Sequence, residues 1–192
     1  MRKIFIIPLI VLSLVACKEV EDEEPEVFDS LALAEASQYV DNLIKSLRNG
    51  SLDALHCPDV QWIHIPALME YGKSEEIIGD DPEVGYARAL PSGPFSSEIL
   101  FQVSEGMFAL WMVEAARIHT LKPEAAGMAG WPSRNPFVVI TNPNSGRMEK
   151  FINDPVVQKI IYDAYADWWK AAGGKKKAAS INPLEVTGYI WF

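Results

Sequence analysis

Between Glu98 and His119 the chain carries a helix-length run with almost no polar face. Val103, Met107, Leu110, Trp111, Ala115 and Ile118 fall on one side at helical spacing, while Phe101, Phe108 and Met112 fall on the other. A helix that is apolar nearly all round must be surrounded, because water on any face would leave a large hydrophobic area exposed. The rest of the fold must therefore assemble around this segment. Ser96 or Ser97 is placed to cap its start.

Other helices announce themselves by their ends. Asp29 or Ser30 can cap a helix whose Leu33, Ala36, Val40, Leu43, Ile44 and Leu47 recur at helical spacing, with Asn49-Gly50 as a left-handed stop. Ile65–Tyr71 reads as a shorter helix with Pro66 in its first turn and Gly72 at its end, and Glu75–Ile78 as one further turn. Asp154-Pro155 opens a helix with a stripe of Val157, Ile160, Ile161, Ala164, Trp168 and Ala172, closed by Gly173-Gly174. Residues 79–96, rich in Gly, Pro, Asp and Ser, form an irregular connection. Phe137–Ile140 is the only β-like run within residues 121–146, and Leu184–Phe192 is expected to run extended and pack back on the body. With 49% hydrophobic residues in 192, one core suffices. The expected fold is mainly α: an irregular helical bundle, with a HEAT-like pairing of helices as its variant and little β structure.

The amino terminus reads differently. Arg2 and Lys3 precede an apolar stretch, Ile4–Val15, of 12 residues interrupted by Pro8. That suits a signal peptide and falls short of the about 20 residues a bilayer-spanning helix needs. Leu14-Val15-Ala16-Cys17 follows, then residues 18–29 with seven acids and one base, the composition of a disordered spacer. The Leu14–Cys17 pattern resembles the lipobox of bacterial lipoproteins. The resemblance implies cleavage before Cys17 and acylation of Cys17, including palmitoyl-type chains. Two or three such chains hold a protein to a membrane where one would not. Lys18, not Asp, follows the cysteine, which in such proteins favours the outer membrane. The lysine-plus-acid run Lys18–Glu24 also resembles export signals of Bacteroidota surface lipoproteins, the alternative being a tether kept soluble by its charge.

The expected organisation is therefore a signal peptide over 1–16, a lipidated cysteine and acidic linker over 17–29, and a single helical domain over 30–192. The implied location is the cell envelope, at the outer membrane, on a periplasmic or surface-exposed leaflet. Several short motifs resemble a family of Bacteroidota lipoproteins defined only as a domain of unknown function. They are Ile65–Tyr71, the run Pro94-Phe95-Ser96-Ser97 leading to Leu110–Glu114, and Asn182–Gly188. The resemblance brings no catalytic residues.

Charge excludes one class of partner. The chain carries −9, and loss of Arg2 and Lys3 with the leader takes it to −11. Such a surface repels phosphate backbones, so no nucleic acid is expected; Lys175, Lys176 and Lys177 form its one basic run. Once Cys17 is lipidated, Cys57 is the sole remaining thiol, and the fold must stand without a disulfide.

The chemical motifs are sparse. His56, Cys57 and His64 are the only group of soft ligands, and their spacing does not build a tetrahedral site, so neither metal nor cofactor is expected. A thiol nucleophile at Cys57 would need His64 or His119 as its base. No nucleophile elbow, P-loop or dinucleotide-binding glycine pattern occurs. Glu105 and Glu114, on the apolar helix, are the carboxylates best placed for burial. They serve either as an acid–base pair or, for Glu114 with Arg117, as an ion pair fixing helix packing. Trp131, Trp168 and Trp169, with Trp62 and Trp191, offer either a stacking platform or core packing. Two readings follow. The first is a non-enzymatic binding or scaffolding module, held by its lipid anchor, that engages an envelope protein or glycan through Trp131, Trp168, Trp169, Glu105 and Glu114. The second is a small glycan-directed hydrolase using the two carboxylates.

Overall fold

The structure, a computed structural model, describes residues 28–52, 57–78, 103–123, 131–133, 136–142, 144–151 and 154–192. Cys17, its leader and its acidic linker up to Val27 lie outside them, as do His56, the 79–96 connection and the Ser96 and Ser97 caps.

Helix α1, Ser30–Arg48, starts where Asp29 accepts a hydrogen bond from the Leu31 N–H. It ends at Asn49, and Gly50 takes a positive φ of 68°. Its buried stripe is Ala36, Val40, Leu43, Ile44 and Leu47, while Leu33, in the first turn, stands 38% exposed. A 3-10 turn, Trp62–His64, leads into α2, Ile65–Tyr71, with Pro66 in its first turn. Gly72 closes α2 in right-handed geometry. Close approach favours glycine there: a Cβ would sit 3.0 Å from side-chain carbons of both Leu110 and Tyr162, which would have to give by a few tenths of an ångström.

The central helix α3 runs Glu105–Leu121 and is capped by Ser104, whose Oγ accepts from Met107 N–H. It starts later than the sequence implied, and 14 of its 17 residues are buried. The residues expected to add a turn at Glu75–Ile78 instead run alongside its start. Ile77 bridges Ser104, Ile78 N–H donates to Val103 O, and Glu105 and Gly106 N–H donate to the carbonyls of Glu76 and Ser74. The first turn of a buried helix has amides that lack intrahelical acceptors, and this segment supplies them.

After α3 comes a small antiparallel sheet in the order β2-β1-β3, with β1 Val138–Thr141, β2 Met148–Phe151 and β3 Tyr189–Trp191. Val138 pairs with both Phe151 and Trp191, which fixes the register. The β1–β2 turn is held by Asn142, whose Oδ1 accepts from Asn144 and Ser145 N–H, and by Gly146 at φ 65°. Helix α4, Pro155–Ala172, is capped by Asp154 and stopped by left-handed Gly173. Its buried face is Val157, Gln158, Ile161, Tyr165, Trp168 and Ala172. Ile160, expected inside, is 39% exposed, because the face is centred one residue further round. A 3-10 turn, Lys176–Ser180, and a run of turns over 183–187 bring the chain to β3, so only its last residues are extended. The fold is mainly helical, gathered about α3, with this sheet at one side. Among the described residues no helix is long and apolar enough to cross a membrane.

Candidate functional site

The carboxylates of α3 were the first candidates, and their geometry separates them. Nine residues apart on one helix, at about 1.5 Å and about 100° per residue, they stand roughly 13–14 Å apart on opposite faces. Acid–base work on a glycosidic bond needs two carboxyls about 5–10 Å apart across one bond. Each is also fully engaged. Glu105, 1% exposed, takes Arg48 Nε at 2.6 Å and Nη2 at 3.0 Å, and the same guanidinium reaches Glu76 at 3.3 Å. Glu114, 7% exposed, takes Arg117 Nε at 2.8 Å and Nη2 at 2.7 Å, with Tyr165 Oη donating to it at 2.7 Å. Arg117 also donates to Ala179 O, and Trp191 Nε1 donates to Tyr165 Oη. This buried network links α3, α4, the last 3-10 turn and β3. The Glu114–Arg117 ion pair expected from their spacing is therefore present, as a packing device.

The tryptophans are likewise turned inward. Trp168 is buried, and its Nε1 donates to Ala178 O at 3.0 Å. Trp169, half-buried, packs with Trp168 around Trp62, at ring-centroid distances of 5.1 and 5.5 Å from it. Trp131 stacks on Trp111 at 4.7 Å and 16°. Its Nε1 is buried with no hydrogen-bond partner, a donor whose desolvation costs about 1–3 kcal/mol. The structure thus places Trp168, Glu105 and Glu114 in the interior, with no face turned to a ligand, and Trp169 and Trp131 at its edge.

Cys57 is buried, and burial with the nearby Asp59 charge pushes its thiol up to about 12. Such a thiol is no nucleophile near neutrality. Nδ1 of His64 accepts from Gln61 N–H at 2.8 Å, and burial lowers the imidazole's affinity for a proton. His119 is buried, its Nδ1 donating to Val60 O at 3.2 Å. Among the described residues no group of three or more His, Cys, Asp or Glu side chains could hold a metal ion.

What the surface does offer is a cleft of about 570 Å³, within the range of small-ligand sites. Phe28, Trp62, Ile63 and Pro123 give it apolar walls, and Asp59, Gln61, His119, Thr120 and Lys176 supply polar groups of both signs. Four chain segments meet here: the lead into α1, the 3-10 turn before α2, the end of α3 and the turn after α4. Trp62 is fixed from behind by Trp168 and Trp169, and its Nε1 donates to Gly174 O at 2.9 Å. The tryptophan pair thus supports the wall of the cleft and does not line it. Of the lining residues the sequence had singled out Trp62, His119 and Lys176, each for a different reason, and nothing in their spacing joined them.

The family model described as Domain of unknown function (DUF4943) matches residues 34–192. No curated protein and no solved structure matches the chain.

Proposed function

The chain belongs to the DUF4943 family, and on that premise we propose that this member is a lipid-anchored envelope protein whose helical domain binds a ligand in the Phe28–Trp62–Lys176 cleft. The observation that carries the reading is where the cleft lies. Phe28 lines it, so it opens at the point where the acidic linker behind Cys17 joins the domain. The Arg2-Lys3 leader, the Leu14–Cys17 lipobox and that linker support acylation at Cys17, which fits a bacterial outer membrane. Apolar walls with carboxylate, amide, hydroxyl and ammonium groups suit an envelope glycan or the segment of a neighbouring envelope protein. Glycan hydrolysis by Glu105 and Glu114 is disfavoured by their placement on opposite faces of α3.

Two measurements test the reading. Mass spectrometry of the protein from its native membrane should find Cys17 at the amino terminus carrying acyl chains, and Cys17→Ser should release the protein to the soluble fraction. A photo-crosslinking residue at Gln61, exposed in the cleft, should capture a defined envelope component in intact cells. The same residue at exposed Glu70, which is not among the lining residues, should not, and Thr120→Trp should block capture by filling the cleft. An intact leader would end the anchored reading, and equal capture from both positions would end the cleft reading.

A further inference from the structure

The cleft has a charged rim whose complement lies in the chain itself. Lys175, Lys176 and Lys177 are consecutive at the turn after α4, and Lys176 lines the cleft. Phe28 lines the same cleft and packs against the hydrophobic core. Immediately before it runs Glu19-Val20-Glu21-Asp22-Glu23-Glu24-Pro25-Glu26-Val27, with six acids and no base. We propose that this acidic segment docks on the domain it leads into, its carboxylates against the Lys175–Lys177 cluster and its apolar residues over the rim of the cleft.

Reach, charge and attachment favour that occupant. Pinned at Phe28, Glu26 can stand no more than about 7 Å away and Glu21 about 25 Å, at 3.3–3.6 Å per extended residue. The lysines are the chain's one basic run, on a body (residues 30–192) that carries 14 bases and 19 acids, so an acidic segment meets a local cluster of opposite sign beside its exit. Asp59 is the one acid among the described lining residues, which sets the lysine side of the rim as the attractive one. Covalent attachment makes the encounter intramolecular, so contacts too weak to hold a separate peptide are populated. The contact needs no lipid on Cys17. Its consequence does rest on the anchored reading: a leash of residues 18–27, about 35 Å when extended, is shortened by the docked stretch, and raised salt lengthens it.

Zero-length carbodiimide crosslinking of the full chain, read by mass spectrometry, tests the contact. At about 50 mM salt, Lys175–Lys177 should link to acids of residues 19–26 within one molecule, and yields should fall roughly fivefold at about 0.5 M, where screening shortens the Debye length. Lys175→Gln, Lys176→Gln and Lys177→Gln together should raise cutting within residues 19–26 by a glutamate-specific protease to its high-salt rate. Crosslinks from these lysines only to other carboxylates, or only between molecules, would overturn the proposal. So would equal cutting of the two proteins at low salt. Lysine-dependent binding to vesicles of anionic phospholipid, with the acidic segment uncrosslinked, would assign the cluster to a membrane surface instead. Acyl mass on Cys17 is read separately, so failure of the anchor and failure of the docking give different results.

Discussion

The two buried glutamates of α3 solve one problem in different ways. Glu114 is paired by Arg117, three residues on along the same helix, and both side chains are about one-tenth exposed. Glu105 is paired by Arg48, which reaches it from α1, 57 residues away, and stands half exposed. The pair at Glu114 is local, so the neutralising charge travels with the helix into the core. The pair at Glu105 is a tie between elements and forms only when α1 has docked. Around it lies more long-range polar contact. Gln158 of α4 accepts from Ser104 Oγ and donates to the carbonyls of Gly72 and Ser74. One half of the central helix is thus held by a sealed internal unit, the other by a joint of pieces from across the chain.

Removing one member of the sealed unit should cost most. Glu114→Ala leaves the Arg117 guanidinium buried without its carboxylate, and loss of one partner from a buried pair costs about 3–5 kcal/mol. Chemical denaturation should show this as a fall in midpoint with unchanged slope. A loss under about 1 kcal/mol would mean that Arg117 escapes to water, and the contrast between the two ends would fail. In the joint the corresponding test is Gly106→Ala. A Cβ there would meet Gln158 Nε2 and lie 2.6 and 2.7 Å from the backbone carbonyls of Ser74 and Gly72. The side chain can move but the carbonyls cannot, so about 1–3 kcal/mol of overpacking is expected, read from the same denaturation curves.

Tyr165→Phe probes the sealed unit more gently. It deletes the donor to the Glu114 carboxylate and the acceptor for Trp191, about 1.5–3 kcal/mol for the bond to the charged group and about 1 kcal/mol for the neutral one. The phenol's burial, reinforced by the Glu114 charge, holds its proton well above the usual range near 10. Such a group contributes stability fully below pH 10 and loses it as pH rises toward its folded value. Cys57, raised from 9.0 to about 12, acts in the same direction. The wild type should therefore weaken between pH 9 and 12, and Tyr165→Phe should weaken less steeply over pH 10–12, measured by thermal denaturation at stepped pH.

How much of this was legible in the sequence depends on distance along the chain. Asp29, Asn49-Gly50, Asp154-Pro155 and Gly173 carry cap chemistry in adjacent residues, and α1 and α4 begin and end where those residues say. The start of α3 was misread because a helix apolar on every side has no periodic edge, so Ser96 and Ser97 were read as its caps where Ser104, inside the apolar run, takes the role. Strand β2 was invisible, since Met148-Glu149-Lys150-Phe151 is mostly polar and exposed and is a strand only by pairing with β1. The opposition of Glu105 and Glu114 was available in their nine-residue spacing once both were placed on one helix. Arg48 was not available as a partner, and neither was the cleft, whose lining comes from four separated segments. Helical periodicity reports one element at a time, and a joint or a cleft is a relation between several.

The smallest effect gives the sharpest division within the joint. Arg48 also contacts Glu76, but there both side chains are half or more exposed, 50% and 63%. Water already solvates Glu76, so losing its charge orphans nothing, and Glu76→Gln should cost less than about 0.5 kcal/mol and vanish in high salt. Arg48→Ala should cost clearly more, because it leaves Glu105, 1% exposed, without its guanidinium. A double-mutant cycle separates the two contacts: coupling of Arg48 with Glu105 should be at least about 1 kcal/mol and largely salt-resistant, and coupling with Glu76 near zero. Equal couplings would show that Arg48 is held by surface charge in general and not by the buried carboxylate. The first half of α3 would then have no tie to α1 of the kind that distinguishes it from the second.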